Sequence, residues 1–79
     1  MESLKDLVEL MVKTLVDNPD SVDVRELEGG QSSLIELRVV REDLGAVIGK
    51  HGQTIDALRT ILGGAAAKSR RRIILDVID

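Results

Sequence analysis

The chain has no phenylalanine, tyrosine or tryptophan among its 79 residues. That absence excludes nucleic-acid binders that stack bases on aromatic rings, RRM sheets and most OB-folds among them. There is no cysteine, so neither a disulfide nor a thiolate metal site exists. A single histidine leaves any zinc site dependent on carboxylates, in an arrangement the sequence does not display. No signal-peptide pattern opens the chain, and no run of about 18 apolar residues occurs. The expectation is one cytoplasmic domain over residues 1–79, with no membrane, metal or cofactor. A domain of this size buries only about 60% of its unfolded surface. Its 43% hydrophobic content suffices for one two-layer core and not for a deep enclosed pocket.

The net charge of −3 argues by itself against a polyanionic partner, but the charge is segregated. Residues 1–37 hold nine acids and three bases, a sum of −6, whereas residues 38–72 hold eight bases and three acids, a sum of +5. The last seven residues add −2. Local fields steer a charged ligand more than the total does.

Leu4, Leu7, Val8, Met11 and Leu15 recur at helical spacing, with Ser3 and Asp6 as an N-cap pair. Asn18-Pro19 is expected to stop this helix. Two alternating runs follow, Ser21 to Glu28 and Ser32 to Val40, with Gly29-Gly30 between them. They read as an antiparallel hairpin. Ile35, Leu37 and Val39 share one face and Glu36 and Arg38 the other, so one side of the sheet faces water.

From Arg41 the period changes to helical. Glu42 and Asp43 suit a first helical turn, and Leu44, Val47 and Ile48 form a short apolar face. A loop over Gly49–Gly52 separates it from a second helix beginning at Gln53, with Ile55, Leu58, Leu62 and Ala65 in step. Gly63-Gly64 leaves two readings. Either this helix stops at Leu62, or it continues to about Lys68 with the glycines allowing close packing. Lys68, Arg70, Arg71 and Arg72 suit a helix C-terminus and the turn after it. Ile73 to Ile78 ends the chain as a strand, with Ile73, Leu75 and Val77 on one face. After a two-helix crossover this strand is expected to lie parallel to the second strand. The prediction is an α+β domain of two layers, a three-stranded mixed sheet with three helices on one face.

The chemistry concentrates at Ile48-Gly49-Lys50-His51-Gly52. Gly49 can end a helix, and backbone amides near the next helix start favour an anion. A nucleotide-hydrolase loop needs four residues between its glycines, then Lys and Ser or Thr, after a strand. Here three residues separate Gly45 from Gly49, His51 follows Lys50, and the loop follows a helix. No nucleophile–base pair stands out either, so an enzyme is not expected.

This segment, set between two short helices and followed by Thr54-Ile55 and Leu58-Arg59, resembles the GxxG signature of a KH domain. The αββααβ order matches a type II KH fold over nearly the whole chain. The likeness is nearest to the small stand-alone bacterial KH proteins of the KhpA kind. It implies that about four nucleotides of single-stranded RNA lie between the loop, the two short helices and the edge of the last strand. On that resemblance, Gly49 and Gly52 let phosphates approach the backbone, and Lys50 supplies charge. His51 hydrogen-bonds a phosphate or faces water, and Gln53 stands where the family often has a base. Ala46, Ile48 and Ile55 form an apolar floor, and Arg59 reaches the groove from one turn later. With Gln53 and Asp56 at positions often basic in the family, binding is expected to be weak and of low specificity, as in an RNA chaperone or post-transcriptional regulator. The resemblance also allows a protein-interaction module that dimerises or joins a larger KH-containing partner.

Overall fold

The structure is a computed structural model that describes residues 3–78, so the outermost positions of the expected domain lie outside the described residues. Helix α1 spans Leu4–Lys13 and starts where Ser3 accepts a hydrogen bond from the Asp6 amide at 3.1 Å. It buries Val8 and Val12 completely, with Leu4, Leu7, Met11 and Val16 packed alongside. Leu15 was expected on this stripe but is 40% exposed. The reason is local: the Thr14 hydroxyl donates to the Met11 carbonyl and the helix ends at Lys13, well before Asn18-Pro19. Beyond that point the four-residue step no longer returns a side chain to the same face. Pro19 instead opens a 3-10 turn over Pro19–Ser21.

Strands β1 (Asp23–Gly29) and β2 (Ser32–Arg38) pair antiparallel from Asp23 opposite Arg38 to Gly29 opposite Ser32. The turn is therefore Gly30-Gln31, one residue later than the glycine pair suggested. Strand β3 (Arg72–Ile78) pairs parallel to β2, so the sheet order is β1-β2-β3. Between them lie a 3-10 turn over Arg41–Asp43, the short helix α2 (Leu44–Ile48) and the long helix α3 (Gln53–Ala67). Val24, Ile35, Leu37 and Leu75 face the helices and close a single core with Val8, Val12, Val47, Ile55, Leu58 and Leu62. The α+β class, the mixed sheet and the parallel return of the last strand are as the sequence predicts.

Helix α3 runs straight through Gly63-Gly64, which settles the alternative left open. Close packing is not the reason. Both glycines are exposed, and a β-carbon on either would meet nothing within 4 Å. The pair costs about 2 kcal/mol relative to alanine. Continuation lets Ala66 reach the core, where it is 1% exposed, and allows the capped ending described below. Among the described residues no helix is long and apolar enough to cross a membrane.

Candidate functional site

Asp43 fixes the first wall of the site. It was read as a helix-start acid, yet it is 2% exposed. Its carboxylate accepts hydrogen bonds from the Asp17 amide (3.2 Å), the Asn18 amide (3.1 Å) and Asn18 Nδ2 (3.2 Å). A buried carboxylate needs such donors to offset its lost hydration. The bonds tie the segment after α1 to the base of α2. Val47 then anchors α2 in the core, while Gly45, Ala46 and Ile48 stay on the surface.

The two glycines of the loop do different work. Gly49 closes α2 by donating its amide to the Gly45 carbonyl at 2.8 Å. Its φ of 79° and ψ of 171° fall in a region open essentially to glycine alone. A β-carbon there would lie 2.7 Å from Thr54 Cβ and 2.8 Å from the Thr54 amide nitrogen. Gly49 thus lets α3 pack directly against the end of α2. Gly52 has φ 74° and ψ 14°, left-handed, but a β-carbon there would meet nothing within 4 Å. The side of the backbone that Gly52 leaves bare faces open space. His51 is left-handed as well, with φ 57°.

Gly52 is also the residue before α3, and no side chain caps that helix. The first amides of a helix lack intrahelical acceptors and carry a partial positive charge. Lys50 and His51 are exposed beside them. Among the described residues neither side chain makes an ion pair or hydrogen bond. Bare backbone, uncapped amides and uncommitted basic side chains therefore meet on one turn.

The remaining residues singled out in the sequence are placed unequally. Ala46 and Gln53 are exposed and Ile48 is 36% exposed, so these three surround the loop on the surface. Ile55 is 5% exposed and belongs to the core, so it supports the α2–α3 contact from beneath. Arg59 is half exposed and already engaged: it donates to the Leu75 carbonyl at 3.2 Å and lies 3.9 Å from the Asp56 carboxylate. It bridges α3 to β3 and still has N–H donors to spare. Sequence reasoning did not give Asp43 and Thr54 their structural roles. The close fit of Thr54 on Gly49 had a faint signal in a β-branched residue five positions after a glycine. The partners of Asp43 lie 25 and 26 positions away and left no local signal. No group of three His, Asp or Glu side chains fit to hold a metal occurs among the described residues.

A family model described as the KH domain of KhpA/KhpB matches residues 5–77. A relative from Aquifex aeolicus, called RNA-binding protein KhpA, is 49% identical over 79 residues and covers all of both chains. One of the same name from Halalkalibacterium halodurans is 50% identical over 76 residues, 96% of this chain and 100% of that one. A third, from Caldanaerobacter subterraneus, is 49% identical over 73 residues, 92% of this chain and 97% of its own length.

Proposed function

The chain belongs to the KhpA/KhpB family of KH domains, and from that premise we propose that it binds single-stranded RNA at the Gly49–Gly52 loop. The observation that carries the reading is the open face of Gly52 next to an uncapped helix start. A phosphodiester can approach this backbone as closely as an amide hydrogen bond requires. Lys50 and His51 flank it, and Gln53 offers an amide at the same end of α3. Ile48 and Ala46 supply the apolar surface against which a base lies in the absence of aromatic rings. Ile55 acts by holding the two helices together, and Arg59 contributes with the donors that Leu75 leaves free. The strand occupies about four nucleotides. The domain is a binding module without a cofactor, not an enzyme. Its weak, sequence-tolerant grip suits an RNA chaperone or post-transcriptional regulator.

The test is a paired measurement on the Lys50→Asp, His51→Asp double variant. Affinity for a short single-stranded RNA is expected to disappear while the melting temperature stays within a few degrees, since both side chains are solvent-exposed. Unchanged affinity overturns the reading.

A second reading, pairing with another KH chain, is favoured by the sheet face that the helices leave uncovered. Leu27, Leu34 and Ile74 stand opposite one another across all three strands there. Leu27 and Ile74 are each 57% exposed. If this row is a dimer contact, sedimentation equilibrium at micromolar concentration finds a dimer that Ile74→Lys dissociates. A monomer whose behaviour that substitution leaves unaltered counts against it.

A further inference from the structure

We propose that the arginine turn at the far end of α3 is a second phosphate-binding site, which takes the backbone of an RNA strand longer than the loop alone holds. The fifteen residues of α3, at 1.5 Å each, put about 22 Å between this turn and the Gly49–Gly52 loop. It is therefore separate from the site above, although it rests on the RNA reading for the identity of its ligand.

Lys68, Arg70, Arg71 and Arg72 place four cations within five residues of a chain whose net charge is −3. The backbone shows how they are spread. The Arg71 amide donates to the Ala66 carbonyl and the Arg70 amide to the Ala67 carbonyl, both at 3.0 Å. These are the two bonds of a Schellman ending, with Arg70 at the left-handed position, φ 55°. Glycine, or else asparagine, is the residue such a position favours. An arginine there works against the local backbone preference, so folding does not account for it, and rule-breaking residues of this kind concentrate at functional positions.

The side chains around the turn form a receptor. Arg71 is held in place: its guanidinium donates to Ser33 Oγ and lies 3.7 Å from the Glu28 carboxylate. The Arg72 amide donates to the Gln31 carbonyl at 2.8 Å, which brings the β1–β2 turn up to the start of β3. Gln31, Ser32, Arg70, Arg71 and Arg72 together line a concavity of about 400 Å³. At about 30 Å³ per water that is room for roughly a dozen waters, ample for a phosphate group. The residues that line it are three arginines, a serine and a glutamine, with no acidic or apolar residue among them. Among the described residues no carboxylate pairs with Arg70 or Arg72. Guanidinium forks match phosphate oxygens in pairs; those of Arg70 and Arg72 are uncommitted among the described residues, while Arg71 is shared with Ser33 and Glu28.

The ligand chemistry, a phosphate oxyanion, has two sources: the RNA backbone and free inorganic phosphate. The probes are single-stranded oligonucleotides of four and twelve nucleotides, and inorganic phosphate followed by amide NMR. The variant is Arg70→Gly with Arg72→Gln, which keeps the fold because glycine suits the Schellman position. The proposal expects the variant to bind the 12-mer about five- to tenfold more weakly while the 4-mer is unaffected. Two lost phosphate contacts flatten the salt slope by about 1.4 for a single strand. The loop double variant, by contrast, loses both oligonucleotides. If the 12-mer is unaffected but inorganic phosphate shifts the amides of Gln31, Ser32 and Arg70–Arg72, the site exists and serves free phosphate. If neither probe responds, the proposal is overturned, even where the 4-mer still binds and the loop reading stands. If wild-type protein binds no RNA, the loop reading fails and the phosphate titration alone decides this one.

Discussion

Gly49 and Gly52 occupy equivalent places in a four-residue motif, yet a single added methyl group separates their roles. Gly49→Ala puts a β-carbon against Thr54 backbone in a conformation that only glycine accepts, and is expected to cost about 3 kcal/mol or more. Gly52→Ala meets open space and carries only the left-handed penalty of about 1 kcal/mol. Its effect falls instead on RNA, since the methyl group stands where a phosphate must approach. Urea denaturation and RNA titration of the two variants check this. Equal destabilisation by both would remove the distinction between a packing glycine and a contact glycine. Asp43 shows the opposite limit of what a sequence reveals. An acid at a helix start is read as a dipole partner, and nothing near it says that Asp17 and Asn18 fold back onto its carboxylate. Ile55 is a similar case. Its spacing fits both the groove and the core, and only packing places it at 5% exposure.

Among the elements, the strands were the most legible, because a period of two admits few alternatives once one face is buried. Ile35 and Leu37 were assigned to the inner face and lie there fully buried. The turn slipped by one residue because either glycine of the pair serves a tight hairpin, and pairing across the whole ladder decides between them. In α1 the spacing was right and its extent was not, so Val12 took the core place expected of Leu15. The course of α3 was undecidable locally. Two glycines oppose the helix by about 2 kcal/mol, and what outweighs them is burial of Ala66 and a Schellman ending that forms only if the helix continues. A prediction follows from the empty space around those glycines. Gly63→Ala and Gly64→Ala are each expected to stabilise the fold by about 0.5–1 kcal/mol. Thermal unfolding of the two variants measures it. Destabilisation by either would mean that the surface of α3 at this point is closer-packed than described.

For the whole molecule, charge distribution matters more than total charge. A net −3 protein repels RNA at long range, but residues 38–72 carry +5 and include both basic regions, the loop before α3 and the arginine turn after it. Acids concentrate on β1, where Asp23, Glu26 and Glu28 face a single base, Arg25. The domain thus presents a polyanion with two small positive regions about one helix length apart, on a body 34 × 24 × 22 Å across. Affinity built from so few phosphate contacts is weak and falls only shallowly with salt. The most direct measurement is the affinity of the wild-type chain and of Lys50→Asp, His51→Asp for a short single-stranded RNA across a series of salt concentrations. With two or three phosphates neutralised, the wild-type plot of log K against log salt should fall with a slope near −2, and the variant should show no binding at any salt. Parallel lines of equal affinity, from two proteins that melt alike, would contradict the claim that this loop holds the strand.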